Sequence, residues 1–182
     1  MIVVTGNPHK LLEIRPLFEK HGIRIEVSQV DKMEVKSDDV VVVAREAAKA
    51  AYRVLKRPLV IDDTGLYISA LSGFPGAYAS FVQKTIGNLG ILKLMEGITD
   101  RTANFVTAAA YADGKNIEAF VGEMPGRIAL APSGREGFGY DPIFICDGEM
   151  RTYAEMSFSE KVAVSHRTKA FASLLDWYDR VR

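Results

Sequence analysis

One cysteine, Cys146, occurs in 182 residues. A lone thiol closes no internal disulfide, which excludes a disulfide-stapled secreted scaffold and suits a reducing compartment. The chain also lacks any run of 18 or more apolar residues, whereas a membrane-spanning helix needs about 20. An excess of charge of one sign is missing too: 23 basic and 23 acidic residues give a formal net charge of zero. General binders of nucleic acid or of membrane surfaces carry a basic excess, so neither partner is expected. The sequence opens directly on MIVVTG, with no basic stretch, apolar stretch and cleavage site in succession. The expectation is a cytoplasmic protein. No internal repeat, low-complexity tract or Pro/Ser-rich linker divides the chain, so residues 1–182 read as one domain.

What is present is ordinary for a soluble globular protein: 48% hydrophobic and 25% charged residues, enough chain to bury a core without staples. MIVVTG is a short β-branched run ending in Gly6, a buried strand followed by a turn. Leu11, Leu12, Ile14, Leu17 and Phe18 then recur at helical spacing over residues 8–21. Pro16 lies inside that helix and should remove a backbone bond or kink it. Residues 23–27 alternate like a strand, 39–56 read as a helix, and 58–62 as another buried strand. This order predicts an α/β core. The middle of the chain changes character. Segments 102–112, 115–124 and 126–132 read as extended and joined by short turns, the first of them ADGK. Ser157 and Glu160 fit a capping box, and Phe171, Leu174, Leu175 and Tyr178 repeat at helical spacing beside Trp177. The architecture expected is a long mixed sheet flanked by helices.

Five stretches carry chemistry. TGNPHK (5–10) stands where the first strand becomes the first helix. A helix N-terminus offers unpaired N–H groups to phosphate. Gly6 allows close backbone approach, Thr5 and Asn7 add hydrogen-bonding groups, and Lys10 adds a mobile cation. A helix cap at Asn7 and a solvated lysine would explain the same residues. No G-x-x-x-x-G-K-[ST] loop is present. In DDTG (62–65), a strand ends in two carboxylates. Neighbouring strand residues point to opposite faces, so Asp62 and Asp63 have different tasks. Either the pair forms a solvated turn or it forms a site for a hard cation such as Mg²⁺. A phosphatase nucleophile of the Asp-x-Asp type is excluded, because Thr64 holds the second position after Asp62. MEVKSDD (33–39) supplies Glu34. GREGFGYDPIF (134–144) packs Phe138, Gly139, Tyr140 and Asp141 together, which suits either a buried aromatic turn or a face for a planar base. SHRTKA (165–170) places His166, Arg167 and Lys169 at a helix start, where basic groups are unfavourable unless something polar or anionic meets them.

Together and in this order, TGNPHK, DDTGLYISALSGFPGAYAS, FGYDPIF, TYAEM and SHRTKA resemble the signature blocks of the inosine/xanthosine triphosphate pyrophosphatases, which remove deaminated purine nucleotides. The blocks run from residue 5 to residue 170, nearly the whole chain. The resemblance implies an elongated two-lobed α/β fold with a deep substrate cleft, a homodimer and a need for Mg²⁺. It implies that Thr5, Gly6, Asn7 and Lys10 hold the phosphates, that Glu34 and Asp63 bind metal, and that Asp63 is the base. Thr64 stands where serine is more usual and keeps the hydroxyl. Phe138, Gly139, Tyr140 and Asp141 would line the base pocket, Lys161 would contact substrate, and His166 and Arg167 would meet the base edge. After the Pro-Gly turn, where many members carry a basic residue, this chain offers Ser80 and then Lys84. The activity implied is Mg²⁺-dependent hydrolysis of ITP, dITP or XTP to the monophosphate and pyrophosphate. The alternatives are a non-catalytic purine nucleotide sensor and a general phosphatase that releases phosphate.

Overall fold

The computed structural model describes residues 1–30 and 35–182; Glu34, expected as a metal ligand, lies outside them. The chain begins with a strand Ile2–Val4 (β1), a helix Pro8–Lys20 (α1), a strand Glu26–Ser28 (β2), a helix Val40–Leu55 (α2) and a strand Leu59–Ile68 (β3). A short strand Pro75–Gly76 (β4) leads to helices Ala79–Thr85 (α3) and Gly87–Leu94 (α4). Two long strands follow, Thr102–Ala112 (β5) and Ile117–Ile128 (β6), then a short one, Phe144–Cys146 (β7). Helices Phe158–Val164 (α5) and His166–Val181 (α6) complete the chain. The strands form one seven-stranded sheet in the order β2-β1-β3-β5-β6-β7, with β4 beside β3. β1 pairs in parallel with β2 and β3, while β3–β5, β5–β6 and β6–β7 are antiparallel. The mixed α/β sheet flanked by helices is therefore as the sequence predicts. Among the described residues, no helix is long and apolar enough to cross a membrane.

Strand alternation sorts the core. Val3, Val60, Ala109 and Tyr111 face one side, where Ile14 and Phe18 of α1 and Phe171, Leu174 and Leu175 of α6 cover them. Ile2, Val4, Leu59, Ile61, Ala108 and Ala110 face the other side and meet the small-residue stripe Ala44, Ala47, Ala48 and Ala51 of α2. A third cluster, around Leu66, Ile68, Phe105, Phe144 and Tyr153, packs the far half of the sheet against Val82 of α3, Ile91 of α4 and Met95 just after it.

Three expectations need correction. The strand carrying Asp62 and Asp63 does not end there; it runs on to Ile68, because β5 pairs with it along its full length, from Leu59↔Ala112 to Ile68↔Ala103. Segments 115–124 and 126–132 are not two strands but one, Ile117–Ile128. Pro125 is tolerated inside it because its carbonyl accepts from the Asp147 N–H (3.0 Å). Its own missing N–H therefore faces the β7 side, beyond the last paired residue there, and not the β5 ladder. The segment expected at 23–27 forms a strand only over Glu26–Ser28. Pro16 lies inside α1, as expected, and the helix is continuous to Lys20. The capping box of Ser157 and Glu160 is present at α5, and α6 starts at His166 with Ser165 as its cap.

α6 crosses β6 at Gly122, where an added Cβ would strike the carbonyl oxygen of His166 and the backbone nitrogen of Ala170. Both are backbone atoms and cannot swing aside. Gly122→Ala should therefore push the start of α6 off the sheet and destabilise the fold by about 1–3 kcal/mol, the usual range for overpacking, as read by urea unfolding.

Candidate functional site

β1 pairs with β3 only as far as Val4↔Ile61, and β4 rejoins β3 only at Leu66. Between Ile61 and Leu66 that edge of β3 pairs with neither β1 nor β4. A cavity of about 480 Å³ opens there, in the size range of ligand sites. It lies outside the carboxyl end of parallel strand β1, where α/β sheets commonly bind ligands. Apart from Glu34, every residue expected at the site lines it.

One end is built from the β1–α1 turn. Asn7 caps α1, its side-chain oxygen accepting from the His9 N–H (2.9 Å), while the Asn7 N–H donates to Thr5 Oγ1 (3.1 Å). A Cβ on Gly6 would meet no atom of the described residues within 4 Å. Lys10, one turn into the helix, ion-pairs with Asp62 at 2.8 Å. Asp62 shares the sheet face of Val60, toward α1 and α6; Asp63 lies on the opposite face. The two carboxylates thus have separate surroundings, as strand alternation predicts, and both line the cavity.

Arg167, 2% exposed, donates from Nε to Asp62 (3.3 Å), from Nη1 to Glu13, and from Nη2 to Thr64 Oγ1 (3.2 Å). Glu13 also accepts from Lys161 (2.9 Å), which reaches Asp141 at 2.6 Å. Burial opposes the charge on Glu13, but Arg167 and Lys161 outweigh it and hold the carboxyl below its ordinary pKa. For Asp141 burial wins over the pull of Lys161, and the pKa is raised. Burial likewise works against the Arg167 charge, yet Asp62 and Glu13 keep its pKa above the ordinary value.

Another wall is aromatic. Phe138 stacks on His9 with ring centroids 5.2 Å apart, and the Lys161 ammonium lies 4.6 Å from the Phe138 ring centre. Asp141 Oδ2 accepts from the Phe138 N–H (2.7 Å), which folds the 138–141 loop back on itself. The Gly139 carbonyl is held by Gln83 and Asn88, each at 3.0 Å, and the Tyr140 hydroxyl donates to the Ala79 carbonyl (2.9 Å). His166 stacks on Phe105 at 4.7 Å, with Nδ1 2.6 Å from Thr107 Oγ1.

Sequence reasoning missed Glu13, Thr107, Gln83 and Phe105. Glu13 had a signal: it sits three residues after Lys10, on the same helical face. Thr107 had only its register partner Thr64, which no local pattern discloses. Ser80 and Lys84 both line the cavity.

Cations at a helix start, an aromatic ring and several carboxylates thus line one cavity on an α/β sheet. By comparison with known proteins, the chain belongs to the Ham1 family, whose sequence model matches residues 1–177. It is 46% identical over 177 residues to the dITP/XTP pyrophosphatase of Saccharolobus solfataricus, covering 97% of this chain and 92% of that one. It is 50% identical over 175 residues to the dITP/XTP pyrophosphatase of Pyrobaculum aerophilum, covering 96% and 94%. Among solved structures it superposes on a HAM1 protein from Coxiella burnetii with a TM-score of 0.88, 29% identity and 98% coverage of both chains. The Staphylococcus aureus Ham1 protein gives 0.86 at 26% identity, over 100% of this chain and 98% of that one.

Burial, together with the charges of Arg167 and Lys161, holds the His166 pKa well below its ordinary value. Above pH about 6.5 the ring is neutral in both the folded and unfolded chains. As pH falls below that, the unfolded chain binds a proton that the folded one refuses. Stability is then lost at up to about 1.4 kcal/mol per pH unit until the folded value is reached. Between pH 7.5 and 5.5 the wild type should therefore lose about 1 kcal/mol more than His166→Gln does, by urea unfolding at fixed protein concentration.

Proposed function

We propose that this protein hydrolyses the deaminated purine nucleoside triphosphates ITP, dITP and XTP to the monophosphate and pyrophosphate, clearing them from the nucleotide pool. The observation that carries this is one cavity lined both by a cation-bearing helix start and by the Phe138 ring with His166. The names of the archaeal relatives, dITP/XTP pyrophosphatases, support it.

In this reading the β1–α1 turn and Lys10 take the phosphates, through backbone N–H groups and one ammonium. The donor set suits Mg²⁺. Asp63 presents a hard carboxylate oxygen to the cavity, and Mg²⁺ is usually held by one or two carboxylates, water and substrate phosphates, without a cage of protein side chains. Among the described residues no cluster of three or more His, Cys, Asp and Glu stands ready to hold a metal ion, which agrees with that habit. Asp63, with Glu34 as the second ligand, would hold it. Bound Mg²⁺ supplies charge neutralisation and polarisation of the phosphoanhydride. Asp63 orients a water and takes its proton as the water attacks phosphorus. Lys10 and the N–H groups of the turn stabilise the charge that develops on the departing oxygens.

Phe138 offers its face to the base, and His166 with Arg167 stands at the base edge. A 6-oxo group accepts hydrogen bonds there; the 6-amino group of adenine sets donor against donor. Two unpaired groups at about 1–3 kcal/mol each give on the order of 10²–10⁴ discrimination. Rejection of GTP needs a wall at C2, for which the 138–141 loop is the candidate. The protein works in the cytoplasm, as a homodimer. The exposed Phe81 and Leu89, 67% and 73% accessible on neighbouring helices, support a partner surface there, and light scattering at micromolar concentration should give twice the 20.0 kDa chain mass.

Steady-state kinetics with ITP, XTP, GTP and ATP, read by product identity, test the reading. ITP and XTP should give pyrophosphate, with kcat/KM at least about a hundredfold above that for ATP. Equal values for ITP and ATP would defeat the base-edge assignment. Release of orthophosphate would favour the general phosphatase, and tight binding without turnover a sensor. Asp63→Asn should lower kcat by roughly 10²–10⁴ with the fold intact; a variant keeping more than about a tenth of wild-type kcat would remove Asp63 from the role of base.

A further inference from the structure

Thr107 belongs to β5, directly across from Thr64 of β3, and is fully buried. Its hydroxyl oxygen lies 2.7 Å from Thr64 Oγ1 and 2.6 Å from His166 Nδ1. A hydroxyl has one proton to give, and the neutral His166 ring carries one N–H, on either Nδ1 or Nε2. The two facts are linked, because the protons along the chain of hydroxyls must all point the same way.

Two directions are available. In the first, Arg167 Nη2 donates to Thr64 (3.2 Å), Thr64 donates to Thr107, and Thr107 donates to Nδ1, which leaves the ring proton on Nε2. In the second, Nδ1–H donates to Thr107, Thr107 to Thr64, and Thr64 to Asp62 Oδ2 at 3.4 Å. The first begins at a guanidinium that can only donate, ends at a bare ring nitrogen, and contains no step longer than 3.2 Å. The second ends on a contact at the outer limit of hydrogen bonding. That contact falls on an oxygen already accepting from Lys10 (2.8 Å) and Arg167 (3.3 Å). The short steps favour the first direction. Stacking on Phe105 fixes the plane of the ring. His166 lines the cavity and Thr107 does not, so the hydroxyl holds the ring from behind.

We propose that Thr107 is a positioning residue that sets the tautomer of His166, keeping Nδ1 as acceptor and Nε2–H as a donor to the cavity, and thereby selects purines with an oxo group at C6. The selectivity half of this rests on the reading of His166 as a base-edge group; the tautomer half does not. An Nε2–H matches an oxo acceptor and opposes an amino donor. The inverted tautomer would reverse that preference.

The tautomer is read first, in the ligand-free wild type, by ¹⁵N NMR of histidine-labelled protein. The chain has three histidines, and His166→Gln identifies the ring in question. The expected spectrum is a neutral ring protonated on Nε2; a ring protonated on Nδ1 overturns the proposal. This measurement needs no variant at position 107 to fold. Kinetics follow. Thr107→Val keeps the shape and removes the hydroxyl, and should lower the ITP/ATP ratio of kcat/KM about tenfold, the worth of one hydrogen bond. Thr107→Ser should restore both the spectrum and the ratio. A valine enzyme within about twofold of the wild-type ratio would overturn the selectivity role. A wild type that ignores ITP altogether would instead defeat the assigned reaction, with the tautomer still decided by the spectrum.

Discussion

The site depends on a line of alternating buried charge: Lys10, Asp62, Arg167, Glu13, Lys161, Asp141. Three cations and three carboxylates follow one another from the β1–α1 turn to the 138–141 loop. Each interior member touches an opposite charge on both sides. Taking a charge out of water costs several kcal/mol even after relaxation, and removing one partner from a buried pair typically costs about 3–5 kcal/mol. No single link can therefore be dropped without stranding its neighbours. The line joins α1, β3, α5, α6 and the aromatic loop, and it keeps cations in place inside protein without a ligand to neutralise them.

The sheet explains why this line can exist. β1 stops at Val4, three residues after pairing begins, while β3 continues beside β5 for ten. The uncovered edge of β3 is where two acidic residues become useful. Alternation sends Asp62 to the α1/α6 side, where the cations are, and Asp63 to the α2 side. One carboxylate serves the architecture; the other lines the cavity. Strand geometry thus separates two jobs that adjacent positions in sequence place together.

Much of this was legible in sequence, for identifiable reasons. The β-branched run before Gly6, the periodicity of residues 8–21, the capping box at Ser157 and the basic start of α6 are local signals, and local signals survived. The extent of β3 was not legible. An Asp-Asp pair reads as a strand end unless the cations that meet Asp62 are known, and these come from residues 10 and 167. Pro125 likewise read as a break, since only pairing shows which edge its missing N–H faces. Glu13 looked like one more surface acid on an amphipathic helix; its burial is set by Arg167 and Lys161, about 150 residues further along the chain. Thr107 belongs to the same class: its meaning lies in cross-strand register.

The charge line also decides what kind of donor His166 can be. Desolvation works first against an imidazolium at this position, and Arg167 and Lys161 add repulsion. A charged ring would donate from both nitrogens and meet any acceptor, whichever way its neighbours pointed. A neutral ring has one donor and one acceptor, so its preference among purines depends on which nitrogen keeps the proton. The cations that brace Glu13 and Asp62 thus turn His166 from a general donor into one whose direction must be set. The short contact on Nδ1 comes from β5, the centre of the sheet, a rigid element that no ligand needs to move. On the proposed assignment, selectivity for a 6-oxo group rests on an inner strand of the sheet, while the phosphates, which every triphosphate shares, are met by a turn and a lysine.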